Sequence, residues 1–263
     1  MCNITISVID ENGSIMRETQ GSSEAFCVYE PEYALGDAIR VRCEEPDSFL
    51  VLQLDDAVLP GLALLKGSEF IYRIPFDEAK SVYSTRAFSG KRHLIHVRLA
   101  RADELEIRRN LAFNPWATHE RSGLYPFASA NVETRGEMVF AAKNAIDGNT
   151  ANDYHGEWPY TSWGINRDPK AALRLEFGRP VVIDEAVVYL RADFPHDAWW
   201  EKGTLHFSDG GEVTLEFKKS ASAQSFSFEP RRVEWVVLDT LIKADDPSPF
   251  PALTQLELWG REG

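Results

Sequence analysis

Apolar side chains in this chain recur at every second position over short stretches, and turn-forming residues interrupt them about every ten positions. A period of two places alternate side chains on opposite faces of an extended backbone. Such stretches fold as half-buried strands rather than helices. Ile4, Ile6 and Val8 alternate with Thr5 and Ser7, and Asp10-Glu11-Asn12-Gly13 follows as a turn, which predicts a hairpin. Ile39, Val41 and Cys43 alternate with Arg40 and Arg42. Phe49 to Leu54 is almost continuously apolar and reads as a central strand. Phe70 to Ile74 and His93 to Leu99 are further strands, punctuated by Pro60-Gly61, Gly67-Ser68 and Ser89-Gly90. The expectation for residues 1–100 is an antiparallel β-sandwich.

Arg101 to Arg109 breaks this pattern. It is polar, rich in helix formers, and offers Leu105 for packing, so residues 101–109 are expected to form a connecting helix at a domain boundary. Irregular, aromatic-studded segments then run to about Lys170, with a short helix expected near Glu137 to Asn144. Alternation returns in Leu173, Leu175 and Phe177. It continues in Val181 to Leu190, which Asp184-Glu185 breaks. Leu205 and Phe207 lead through Ser208-Asp209-Gly210-Gly211 to Val213, Leu215 and Phe217. Val233 to Leu238 and Leu253 to Trp259 close the domain. The fold class expected is all-β: two β-sandwich domains, the second spanning residues 110–263.

Composition limits the partners. The chain has 263 residues with 41 acidic against 28 basic ones, a formal net charge of -13. Such a surface repels a nucleic-acid backbone or an anionic membrane face, and no compact basic stripe offsets it. No nucleic-acid or membrane partner is expected, which leaves neutral or cationic ligands. No apolar run is long enough to span a bilayer. The N-terminus shows neither the charged nor the apolar region of a signal peptide, so a cytoplasmic location is expected. Cys2, Cys27 and Cys43 form no zinc-type spacing and are expected as reduced, buried thiols, with a Cys27–Cys43 bridge left open.

Residues 110–260 carry a further pattern. Asn110-Leu111-Ala112 is followed by Ala128-Ser129-Ala130 and Asn144-Ala145-Ile146-Asp147-Gly148. Leu173-x-Leu-x-Phe-Gly178, Ser208-Asp209-Gly210 and Gln255-Leu256-Glu257-Leu258-Trp259-Gly260 complete it. In order and spacing this resembles the coagulation factor V/VIII type C, or discoidin-like, domain and its galactose-binding-like bacterial relatives, the carbohydrate-binding modules. The resemblance implies an eight-stranded jelly roll with ligand loops at one end. It also implies a structural calcium beside the Asp-Gly turn, with Asp147, Asn149 and Glu257 as ligands and Asn144 and Asn152 as neighbours. Asp and Asn oxygens in a tight turn suit that ion. The alternative is that Asp147 only caps its own turn.

For sugar, the resemblance places an Arg near the end of a central strand, which matches Arg191. Its planar fork can donate two bonds to vicinal hydroxyls, or pair with a surface carboxylate. In the loop after it, Trp199 or Trp200 is expected as a stacking platform, the alternative being packing against the other domain. His196 and Asp197 could bond hydroxyls or hold the loop. The earlier loop offers His155 and Trp158. Family members carry a His just after a Trp here, whereas Trp163 is followed by Gly164-Ile165-Asn166, which leaves Asn166 or His155 as substitutes.

No nucleophile-elbow, zinc-protease, phosphate-loop or dinucleotide motif occurs. His93 and His96 fall on opposite faces of one strand and cannot share a metal. The expected function is a non-catalytic carbohydrate-binding protein. Two other classes stay open. One is a glycan-processing hydrolase using His155, Asp153, His196 and Asp197. The other is an interaction module, with a partner protein reached through the N-terminal domain.

Overall fold

The computed structural model describes residues 2–151, 158–192 and 198–263. The alternating stretches of the first half become eight strands: β1 (Asn3–Ile9), β2 (Ile15–Ser22), β3 (Glu24–Tyr29), β4 (Ala38–Cys43), β5 (Ser48–Gln53), β6 (Gly61–Leu65), β7 (Glu69–Arg73) and β8 (His93–Leu99). They form two antiparallel layers, β2-β1-β4-β7 and β6-β5-β8-β3. The β1–β2 hairpin turns where Asp10 and Gly13 require it. The Asp10 carboxylate accepts the N–H groups of Asn12 and Ser14, and Gly13 sits at φ +79°. Inward residues of both layers, among them Ile4, Ile6, Val41, Leu50, Leu52, Ile95 and Val97, share one core. All three cysteines are buried and unbridged, with the Cys2 and Cys43 sulfurs 3.0 Å apart. His93 points inward and His96 outward, as their spacing requires.

The connecting helix α1 (Ala102–Glu106) is shorter than expected. Arg98 of β8 grips its Glu104 with two hydrogen bonds of 2.8 and 2.7 Å, which holds that carboxyl down to about 2. Beyond α1 come β9 (Arg109–Asn110), β10 (Leu124–Tyr125) and β11 (Phe127–Ala130). β10 adds to the free edge of β6, and Trp116 joins the first core, its indole N–H donating to Leu52 O at 2.8 Å. Chain beyond the helix therefore completes the first sandwich. Between β11 and β12 (Trp163–Gly164), the helix expected near Glu137 to Asn144 is instead two 3-10 turns, Met138–Phe140 and Ala142–Ile146. Val139 and Phe140 pack on Val82 of the first half.

The second sandwich is built on long strands: β13 (Leu173–Leu190), β14 (Trp200–Phe207), β15 (Glu212–Glu216), β16 (Gln224–Lys243) and β17 (Ala252–Glu262). β13 and β16 each serve both layers. The first part of β13 pairs with β11 and with Trp235 to Leu238 of β16, whose later part pairs with β14. The second part of β13 pairs with β17 and with the start of β16. Strands that bend and change layers in this way make the corners of a closed sandwich. The bend in β13 lies at Gly178, where φ is +69° and a Cβ would strike the Tyr125 ring. A bulge at Asp184-Glu185 then shifts the inward parity from Val181 and Ile183 to Ala186, Val188 and Leu190. With Leu205, Phe207, Val236, Leu238, Leu253, Leu256 and Leu258 these residues form one core. The chain is all-β, and its second half is an antiparallel β-sandwich. No helix among the described residues is long and apolar enough to cross a membrane.

Candidate functional site

β13 ends at Leu190, and Arg191 follows as its backbone N–H bonds to Ala252 O at 3.0 Å. The side chain is 4% exposed, and its guanidinium lies over the Tyr160 ring with Cζ 3.6 Å from the ring centre. Stacking of this kind holds the flat fork in one plane. Arg191 forms part of the wall of a cavity of about 190 Å³. Phe140, Ile165 and Ala252 are its buried apolar parts, and Arg135, Asn166, Arg167 and Phe250 its exposed rim. Gly164 lets the wall close: a Cβ there would come within 2.5 Å of Thr134 Oγ1. That hydroxyl accepts the Asn166 N–H at 2.9 Å. The Arg167 guanidinium lies 4.2 Å from the Phe250 ring centre.

Three rim residues, Arg135 (φ 54°), Asn166 (φ 48°) and Arg167 (φ 63°), are left-handed without being glycine. Such backbone costs about 1–3 kcal/mol per residue and collects at ligand-binding places. The sequence pointed to Arg191 and Asn166. It did not single out Arg135, Arg167 or Phe250, which come from separate loops. One signal for Phe250 was available, a lone aromatic between Pro249 and Pro251 in an otherwise polar loop.

Of the paired indoles, Trp200 does not form a platform. Trp200 is 1% exposed, because it opens β14 on the inward side and packs 6.5 Å from the buried Trp163 ring. Its assignment as a sugar contact is corrected: it is core. Trp199 is half-buried against the same core. Trp158, 44% exposed, faces a different space, a cleft of about 170 Å³ between the two sandwiches lined also by Leu59, Tyr83, Lys143 and Asp147. Asn152, Asp153, His155, His196 and Asp197 lie outside the described residues, so the His/Asp cluster of the hydrolase reading does too.

The Asp147 turn closes on itself. Asp147 Oδ1 accepts the Asn149 N–H at 2.8 Å and the Gln255 amide at 2.6 Å, and Oδ2 lies 3.4 Å from the Thr161 hydroxyl. Gln255 also takes the Gly148 N–H on its Oε1 at 3.0 Å and donates to Asn144 O. Gly148 is required by space and by φ +85°, since a Cβ would meet Phe113 at 2.3 Å. The Asn149 amide donates to Pro159 O. Burial pushes the Asp147 carboxyl up to about 6, against the Asn149 N–H, the Lys143 charge, Gln255 and Thr161, which all lower it.

These residues do not fit calcium. The ion takes about six to eight oxygens. Here the Gln255 NH2 group occupies the space between Asp147 and Asn144 O, and Gly148 N–H fixes which way that amide faces. Glu257, the expected closing ligand, accepts the Trp259 indole N–H at 2.7 Å instead. Asn144 donates its amide to Met138 O at 2.8 Å. Among the described residues no three His, Cys, Asp or Glu side chains gather as a metal site.

The turn and the cavity are neighbours: Thr161 reaches Asp147, and the adjacent Tyr160 carries Arg191. No protein-family model matches the chain, and no curated protein does. Among solved structures, chitosan-binding module 1 of a chitosanase/glucanase from Paenibacillus sp. IK-5 is 16% identical. It covers 58% of this chain and 99% of its own, with a TM-score of 0.40. The family 32 CBM from C. perfringens NanJ, in complex with galactose, is 20% identical over 50% of this chain and 91% of its own, with a TM-score of 0.39. A Streptococcus pneumoniae fucose binding module is 14% identical over 59% and 99%, with a TM-score of 0.41. By their descriptions the first binds chitosan, the second is in complex with galactose, and the third binds fucose.

Proposed function

We propose that the protein binds a carbohydrate in the Arg191 cavity. The observation that carries this reading is the buried Arg191 guanidinium, held flat on Tyr160 in the wall of a small cavity whose rim offers an exposed aromatic ring. A sugar presents hydroxyl edges and an apolar C–H face. Arg191 and Asn166 meet the first, and Phe250 meets the second. The sequence resemblance of residues 110–260 supports the same reading. A cavity of this size suits one sugar ring, with the rest of a glycan lying across the Arg135, Arg167 and Phe250 rim.

The test is a glycan array probed with the whole chain and with Phe250→Ala. Selective binding that drops roughly tenfold in the variant, the upper range of a single aromatic contact, supports the reading. Binding that is selective but indifferent to Phe250 contradicts this placement of the sugar.

A further inference from the structure

The cavity is charged against the trend of the chain. Acidic residues outnumber basic ones 41 to 28, yet the described residues lining the cavity include Arg135, Arg167 and Arg191 and no Asp or Glu. Arg135 is engaged by Glu137 at 2.5 and 2.8 Å, a pair that fixes its fork beside the opening. Arg167 is exposed and, among the described residues, makes no ion pair; its contact is the face of Phe250.

Donors and acceptors are just as uneven. A guanidinium carries five N–H donors and no acceptor. Among the described residues lining the cavity the side-chain acceptors are Asn166 Oδ1 and Thr134 Oγ1, and the latter already receives the Asn166 N–H. A neutral sugar brings hydroxyl protons that need acceptors, and few are on offer. A carboxylate or sulfate brings acceptors only, matches a guanidinium fork in two bonds, and gains charge assistance. Both Arg135 and Arg167, whose side chains line the cavity, sit on left-handed backbone.

We infer that the saccharide bound here carries an anionic substituent, a carboxylate or a sulfate, seated on Arg167 with Arg135 beside it. This rests on the carbohydrate reading above and reverses the neutral or cationic ligand expected from net charge. Net charge acts at long range and is screened within about 8 Å at physiological salt, whereas the groups lining the cavity are in contact with the ligand.

Matched saccharides separate the possibilities. Dissociation constants of the whole chain are measured by calorimetry for galactose against galacturonate, glucose against glucuronate, and N-acetylglucosamine against its 6-sulfate. At least one acidic sugar is expected to bind roughly tenfold tighter than its neutral mate. A uronate preference identifies a carboxylate, and a sulfate preference the sulfated class. Arg167→Gln should collapse that ratio to near one, and Arg167→Lys, which keeps the charge and loses the fork, should keep only part of it; melting curves establish that both variants fold. Equal affinity within every pair, or tighter binding of the neutral members, overturns the anionic ligand and leaves carbohydrate binding standing. A preference untouched by Arg167→Gln overturns the assignment to Arg167. No binding by any member overturns both readings together.

Discussion

The Asp147 turn and the Arg191 cavity lie side by side and are both rich in polar groups, yet they are used oppositely. At the turn, Gln255 supplies a donor to Asp147 and Asn144 and an acceptor to Gly148, so the polar atoms satisfy one another. At the cavity, Arg135, Arg167 and Arg191 line open space beside the exposed Phe250 ring, and Arg167 makes no ion pair among the described residues. A polar cluster whose donors and acceptors saturate each other is structure. One that borders a cavity can hold a ligand. Residue type alone does not separate the two, because Asn, Gly and a basic side chain occur at both.

The contrast is most exposed to failure at Arg191. Arg191→Ala should weaken saccharide binding roughly 100-fold, about 3 kcal/mol, the scale of a lost charge-assisted pair of hydrogen bonds. Calorimetry well below the melting temperature reads this directly. Arg191→Lys, which keeps the charge and loses the fork, should recover only part.

Gln255→Leu should do the reverse. It leaves the Gly148 N–H and one face of Asp147 without partners and should cost about 2–3 kcal/mol in urea unfolding. Saccharide affinity should move less than about twofold, since Gln255 does not line the cavity. Lost binding with unchanged stability would exchange the roles of the two places.

A smaller effect is expected from pH. Asp147 titrates near 6 when folded against an ordinary 3.8. Between these values the folded state holds the proton more tightly than the unfolded chain. Stability is therefore greatest below about pH 4 as far as this group is concerned, and falls as pH rises through 6. For a carboxyl on a half-buried residue the loss should be about 1–2 kcal/mol. Asp147→Asn should flatten that slope when unfolding is followed at pH 4, 5 and 7 in the two proteins.

The smallest effect expected is that of calcium. With Gln255 already bridging Asp147 and Asn144 O, adding calcium or a chelator should leave the melting temperature unchanged within about 1 °C. A rise of several degrees would show the ion displacing the amide.

Strand positions were legible because alternation and turn residues coincide, and even the Asp184-Glu185 bulge showed as a break in the pattern. Other features had no local signature. Gly178-Arg179-Pro180 reads as a stop, yet β13 passes through it, because a bend lets one strand serve two layers. β10 is two residues long and carries no periodicity; only its pairing with Leu64 and Leu65 defines it. Trp116 joins the first core from beyond the helix, which depends on tertiary contact. At the site, Arg191 was readable from its place at a strand end. Trp200 was not readable as core because the pair has no alternation to say which indole faces inward, and only the start of β14 turns Trp200 in. Arg135, Arg167 and Phe250 are far apart in sequence and meet only when the loops fold.

Backbone amide chemical-shift mapping, with the array saccharide that binds most tightly, asks where the ligand sits. Perturbations should center on Thr134, Arg135, Ile165 to Arg167, Arg191, Phe250 and Ala252, with the Gln255 and Gly148 amides nearly still. Shifts centered on Trp158 and the Asp147 turn, or on the first sandwich, would contradict the assignment of the Arg191 cavity as the carbohydrate site.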